Sequence, residues 1–215
     1  MAHTSLDLQT AVDSFKAAVK HCDNIILVHK EVGGGGAGRR YKEASLNRAV
    51  IVLAVAAWQA AVQDLTSALL DTAAPSGASA IDRARYEASV GFVRKGIVDF
   101  STPNGENSRR LMQGAGFDPY PSWAYRIPGG RGGYVTWTPS MVMTRLNEWL
   151  RIRHALAHGH AELPLVDALE SVRVDHANPA TLRLVDAEQC IAFVRRMVEV
   201  TATDLATHLC VTVSV

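Results

Sequence analysis

The sequence contains few of the residues that hold small folds together covalently or through a metal. Three cysteines, Cys22, Cys190 and Cys210, are spread over 215 residues, and no two of them form a Cys-x-x-Cys pair. An odd number at these spacings predicts neither a disulfide framework nor a thiolate zinc site. We therefore expect a cytoplasmic protein that is stabilised by its own hydrophobic core.

The sequence also lacks an excess of charge of either sign. It has 22 lysines and arginines against 21 aspartates and glutamates, a formal net charge of +1. Any affinity for nucleic acid must then come from a local basic patch, because no global field supplies it.

A long uninterrupted apolar segment is missing as well. The apolar run from Ala49 to Val62 is shorter than the roughly 20 residues that a helix needs to cross a bilayer. The N-terminal residues lack the basic-then-apolar pattern of a secretion signal. The sequence therefore predicts no association with a membrane.

What the sequence does contain is helical periodicity. Hydrophobic residues make up 48% and charged residues 20%, a globular composition, and the length suits one domain over residues 1–215. Apolar residues recur three and four apart from Leu8 to His29, which predicts a first long helix. After the tract 33–40, a second helix is predicted from Tyr41 to Leu70, apolar on every side and therefore central in a bundle.

Capping signals place the remaining helices. Ser79 can cap a third helix that runs to about Val98, and a short helix is predicted to start at Asn107 or Ser108 and to stop near Gly114 and Gly116. Thr138 and Pro139 are the N-cap and first residue of a fourth long helix, which Gly159 ends. Asp186 followed by Gln189 resembles a capping box for a final helix through about His208.

Two segments do not read as helix. The segment Phe117–Trp137 is rich in glycine, proline and aromatic residues and predicts a long ordered loop. The segment Val172–Val185 alternates by two around an Asn-Pro turn, which predicts a small β-hairpin. The expected fold is therefore all-α, a helical bundle of about five helices with a small hairpin.

The segment Arg151–His160, "RIRHALAHGH", concentrates three of the eight histidines. Helical residues advance about 100° each, so Arg153 falls at the centre of the apolar stripe of the fourth helix. Arg151, His154 and His158 share a different side, about 140° away from Arg153 in the case of His158. The sequence thus predicts one arginine on an apolar face and a separate polar cluster at the helix end.

Permanently charged arginines beside imidazoles that titrate near neutrality suit acid–base chemistry on a phosphate. The same pattern also fits a purely structural role, with the arginine in an internal ion pair and a histidine as a helix cap. His154 and His158 have metal-ligand spacing too, with His160 and Glu162 nearby. No third ligand is obvious, and no glutamate follows His154, so we expect neither a metal nor another cofactor.

The predicted loop before this helix interleaves aromatic residues with Arg126 and Arg131. Such a composition suits stacking on unpaired bases. Alternatively, the loop is pinned to the bundle by its own tryptophan and tyrosine side chains. In the same way, Trp58 and Trp149 read as core, and Arg195 and Arg196 read as a solvated face of the last helix.

The segment from Arg153 to His158, with Gly159 behind it, resembles the Arg-x(4–6)-His signature of the HEPN superfamily, in which a polar residue follows the arginine. The wider layout is similar to the RiboL-PSP-HEPN branch, with an early apolar helix, a loop-rich middle, the motif helix and a closing helix. The resemblance covers roughly residues 44–209. Arg151 also satisfies the spacing to His158, but the Arg-His-x-x-x-His form favours Arg153 as the motif arginine.

The resemblance implies a metal-independent endoribonuclease of the toxin or defence type, acting on RNA as a homodimer with a composite cleft. It implies Arg153, His158 and His154 as catalytic residues. Arg151, together with Arg126 and Arg131, is then expected to contact the substrate. An antitoxin-like protein is a further expected partner. The alternative is a non-catalytic dimerisation module that binds RNA or a protein, since the motif has decayed in some members of the family.

Overall fold

The computed structural model describes residues 6–32, 41–129 and 132–215, and helices account for most of them. The tract 33–40 and Arg131 lie outside the described residues. The helices are α1 (Leu8–Val32), α2 (Tyr41–Ala73), α3 (Ala80–Val98), α4 (Gly105–Gly114), α5 (Pro139–Ala157), α6 (Glu170–Arg173) and α7 (Leu184–Leu209). Two short strands, β1 (Tyr125–Pro128) and β2 (Tyr134–Trp137), form an antiparallel hairpin. The predicted all-α bundle with a small hairpin is confirmed.

Helix α2 lies in the middle of the bundle, as its all-round apolar sequence predicts. It packs against α1, α3, α4, α5 and α7. Trp58 on α2 is 1% exposed, and Trp149 on α5 is 2% exposed, so both are core residues as predicted. By length and composition α2 is also able to cross a membrane, but 56% of its most apolar window is buried in the fold, as in the core helix of a soluble protein.

Local capping explains where the helices begin. The Ser79 hydroxyl accepts a hydrogen bond from the backbone of Asp82, and the Thr138 hydroxyl accepts one from Met141, with Pro139 at the first helical position. Both caps are as predicted. Helix α4 begins earlier than predicted, because the side chain of Asn104 caps it by accepting from the backbone of Asn107.

The hairpin lies elsewhere than predicted. The segment Val172–Val185 is not a hairpin: it holds the end of α6, a turn and the start of α7, with one isolated bridge between Leu163 and Ala180. The segment is held in this arrangement by Asp186, which is the third residue of α7 rather than its N-cap. Its carboxylate accepts from the backbone of Arg183 and from that of Glu170, both at 2.7 Å, and so ties the starts of α6 and α7 together.

The observed hairpin arises within the segment that was predicted to be a loop. Tyr125 pairs with Trp137 across the strands, and their rings stack with centroids 6.0 Å apart. In the sequence, aromatic residues stand on both sides of the glycine-rich segment 129–133, but Tyr134 and Trp137 are three apart, so no alternation by two marks the second strand. A fully buried residue, Trp123, anchors this segment to the bundle, and its indole donates to the Thr201 hydroxyl on α7. The predicted pinning by aromatic side chains is therefore confirmed.

Candidate functional site

The C-terminal end of α5 positions the predicted site. Helix α5 ends at Ala157, and His158 is its C-cap. The backbone N–H of His160 donates to Ala155, and that of Gly159 donates to Leu156, with Gly159 at a φ of +66°. These two bonds form a Schellman motif, which turns the chain sharply away from the helix axis. The turn brings His160 back beside the last turn of the helix.

This turn stacks three imidazoles in a row. The ring centroids of His154 and His158 are 6.0 Å apart and nearly parallel, and those of His158 and His160 are also 6.0 Å apart. Within the described part of the chain, no hydrogen bond or ion pair engages these side chains. All three rings are therefore able to form hydrogen bonds with a ligand.

Two of these histidines, His154 and His160, line an open cavity of about 430 Å³, which we call the histidine cavity. Its lining includes Arg151, His154, His160 and Glu162. Arg151 is exposed, and so is His158, which stacks on the two lining histidines. The predicted polar cluster of Arg151, His154 and His158 is thus assembled at one end of α5, with His160 added by the turn.

Arg153 lies elsewhere on α5 and does not line the histidine cavity. It is half-buried, and its Nε is buried without a hydrogen-bond partner. Among the described residues no carboxylate forms an ion pair with it. The structural reading of Arg153 as half of an internal ion pair therefore finds no partner in the described chain, and its charge remains available.

His154 has an altered acidity. Partial burial lowers the pKa of His154 below its ordinary value of 6.5, and the nearby charges of Arg153 and His158 lower it further. The imidazole is therefore neutral at pH 7 and able to accept a proton. Because the folded chain binds this proton less readily than the unfolded chain, His154 also destabilises the fold as the pH falls below about 6.5.

Replacing Arg153 with methionine is expected to raise the pKa of His154, since it removes one positive neighbour and keeps the apolar stem. The pKa stays below 6.5, because burial is the larger cause. An NMR titration of the imidazole protons measures this directly. The exposed His21 on α1 serves as the internal reference. An unchanged His154 titration in the variant would mean that the two side chains do not interact.

Gly159 is expected to be required for the turn. A Cβ added at Gly159 has no atom within 4 Å, so Gly159→Ala causes no clash. The substitution should still lower the unfolding free energy by about 1–2 kcal/mol, because alanine is strained in the left-handed backbone conformation. Gly91, within α3, also has open space around it, and Gly91→Ala is expected to stabilise by about 0.5–1 kcal/mol. Urea denaturation of the two variants should therefore give shifts of opposite sign. Equal shifts would contradict the assigned turn.

The predicted substrate residues on the loop are not gathered at this cavity. Arg126 is exposed on β1, opposite Thr136, and does not line the histidine cavity. Arg131 lies outside the described residues. In the described ranges, no group of three or more histidine, cysteine, aspartate or glutamate residues is arranged to hold a metal ion.

Sequence reasoning missed a second cavity, which we call the arginine cavity. It lies between the hairpin, α5, α6 and α7, and three arginines line it: Arg145, Arg173 and Arg196. Arg196 is half-buried beneath Tyr125, so its assignment to a solvated face was wrong, whereas Arg195 is exposed as predicted. These arginines are far apart in sequence, and no local pattern links them.

Comparison of the chain with protein-family models, with curated proteins and with solved structures finds no match.

Proposed function

We propose that this protein is a metal-independent cytoplasmic endoribonuclease of the toxin or defence type, with its active site at the end of α5. The observation that carries the proposal is the row of three imidazoles without partners among the described residues, two of which line an open cavity together with Arg151. Side chains that merely cap a helix or fill a core would be partnered or buried. The resemblance of the Arg153–His158 segment to the HEPN signature agrees with this assignment.

The proposed reaction is a transesterification within RNA. The 2′-oxygen attacks the adjacent phosphorus, the bond from phosphorus to the 5′-oxygen breaks, and a cyclic 2′,3′-phosphate remains. His154 is neutral at pH 7 and suits removal of the 2′ proton, while His158 is placed to protonate the leaving 5′-oxygen. Arg151 and Arg153 would stabilise the charge that develops on the phosphate.

Arg153 does not reach the histidine cavity of its own chain, so we propose that two copies share the site. The half-buried guanidinium, which has no carboxylate partner among the described residues, would meet the histidine cluster of the second copy across the dimer interface. The apolar stripe around Arg153, with Val142, Leu146 and Trp149, packs into the core of its own chain, so only the guanidinium is proposed to reach the partner.

Incubation of purified protein with mixed RNA in EDTA tests the activity. Fragments that end in a cyclic phosphate are expected. Single-stranded DNA should be bound but not cut, because it lacks the 2′-hydroxyl. Binding of RNA without cleavage would refute the enzyme and favour the non-catalytic module.

Mixing two inactive variants tests the shared site. If Arg153 acts on the partner's histidines, a mixture of Arg153→Gln and His158→Ala chains forms heterodimers with one intact site. When the two chains are mixed in equal amounts, about half of the dimers contain one chain of each kind. Each of these dimers has one intact site and one inactive site, so about a quarter of the wild-type activity is expected. No recovery, with mixed dimers verified by mass, would place both residues in one chain's site.

A second candidate function is favoured by the surface of α3. None of its described residues is buried, and Ile81, Phe92 and Val98 are 64%, 88% and 80% exposed. Exposed apolar groups of this kind are typical of protein-binding surfaces. A non-catalytic dimerisation module, or a toxin held by an antitoxin-like protein, would use such a surface.

A further inference from the structure

The arginine cavity has aromatic walls and a volume of about 640 Å³, within the range of small-molecule sites. The rings of Tyr125 and Trp137 are inclined by only 6° to each other, and Phe193 lies 5.8 Å from Trp137 between ring centroids. Trp149, from α5, also lines the cavity. Flat aromatic surfaces of this kind suit contact with a planar ring.

Three guanidinium groups, from α5, α6 and α7, converge on this cavity. Arg145 has a side chain that is only 18% exposed, and its guanidinium carbon lies 5.4 Å from the centre of the Trp137 ring. Arg196 lies at the same distance from the centre of the Tyr125 ring, and Arg173 completes the set. Among the described residues that line the cavity, none carries a carboxylate.

The positive charge of these arginines is only partly balanced from behind the cavity wall. Arg145 pairs with Glu148 at 3.0 Å, and Arg196 pairs with Glu199 at 2.8 Å. Burial lowers the pKa of Arg145, and although Glu148 opposes this effect, Arg173 adds to it. Arginines that line one partly desolvated cavity, where Arg173 already disfavours the charge of Arg145, favour an anion among them.

Two donors at the cavity have no partner within the described chain. The indole N–H of Trp149, a residue 2% exposed, and the Nε of Arg196 are both buried without a hydrogen bond. A buried donor without an acceptor is unfavourable, and such groups are rare unless a ligand or water satisfies them. Both donors belong to residues that line the cavity.

We propose that the arginine cavity binds a nucleotide, with its base against the aromatic walls and its phosphate among Arg145, Arg173 and Arg196. The walls supply stacking, and the arginines supply bidentate contacts to phosphate oxygens. The cavity shares no lining residue with the histidine cavity, so this binding does not depend on RNA cleavage.

Calorimetric titration with the four nucleoside 5′-monophosphates tests the proposal, beside adenosine and inorganic phosphate as the two halves of a nucleotide. Arg173 is exposed and its only described side-chain bonds are to the Asp167 carbonyl and to Gln189, so Arg173→Gln should fold normally. We expect this variant to bind nucleotide about 10–100-fold more weakly. Arg110→Gln, on the distant α4, should bind as the wild type does.

Competition with a short RNA separates the two sources of such a ligand. An all-2′-O-methyl pentanucleotide, which cannot be cleaved by its own hydroxyl, displaces the monophosphate if the natural ligand is a nucleotide of an RNA strand. If the monophosphate stays bound, the ligand is a free nucleotide; both results support the site. Absence of binding at millimolar nucleotide, equal binding by Arg173→Gln, or phosphate alone binding as tightly as the nucleotide would each overturn it.

Discussion

Replacing His158 with alanine is expected to reduce RNA cleavage by about 10²–10⁴-fold, the usual contribution of one proton-transfer group. The ring is exposed and contacts His154 and His160 by stacking, so its loss removes chemistry and little packing. Unfolding free energy should change by less than about 0.5 kcal/mol, as at most surface positions. Single-turnover cleavage of a defined RNA measures the rate, and urea denaturation verifies the fold.

His160→Ala is the matched control for this experiment. His160 stacks on the same ring and lines the same cavity, but it lies outside the Arg153–His158 segment. Its replacement should reduce the cleavage rate less than the replacement of His158 does, and His21→Ala, on α1, should leave the cleavage rate unchanged. Equal losses for His158 and His160 would mean that the cluster acts by positive charge alone. Full activity in His158→Ala would remove this residue from the mechanism.

The polar cluster at the end of α5 was predictable because it depends on local geometry. Arg151, His154 and His158 lie within two turns of one helix, and the periodicity that places them on one side is a property of the helix itself. Gly159 likewise predicted the end of the helix, because glycine readily adopts the positive φ that the turn requires. The same arithmetic separates Arg153 from Arg151 and His154, and of these three only Arg153 does not line the histidine cavity.

The arginine cavity was not predictable because its parts meet only through tertiary packing. Arg145, Arg173 and Arg196 come from three helices, and each alone reads as an ordinary surface residue with a glutamate, or a backbone acceptor, nearby. The missed hairpin has the same cause, since its strands are short and are stabilised by contacts with α7 rather than by their own pairing. The prediction of Asp186 as the N-cap of the last helix was wrong for a related reason. One of its carboxylate oxygens accepts a hydrogen bond from the backbone of Glu170, a contact that the sequence does not show.

The largest loss of stability is expected from Trp123→Ala, about 3–5 kcal/mol. Trp123 is fully buried, its ring meets that of Trp58 edge-on at 6.5 Å, and its indole donates to Thr201. A loss of this size is a large part of the about 5–15 kcal/mol that stabilises a typical domain. Urea denaturation measures it, and Tyr134→Ala, at a residue 73% exposed on β2, should change little.

The same variant also distinguishes two ways in which the aromatic segment can be attached. If Trp123 is part of one cooperative core, the whole bundle unfolds at a lower urea concentration and the transition stays single. If it only fastens the hairpin, the helices keep their stability while the hairpin detaches, and the arginine cavity loses the wall formed by Tyr125 and Trp137. Because Trp123 contacts Trp58 in the central helix α2, as well as Thr201 in α7, we expect the cooperative outcome. Trp123→Phe, which keeps most of the ring volume but not the indole donor, should then lie between the wild type and the alanine variant.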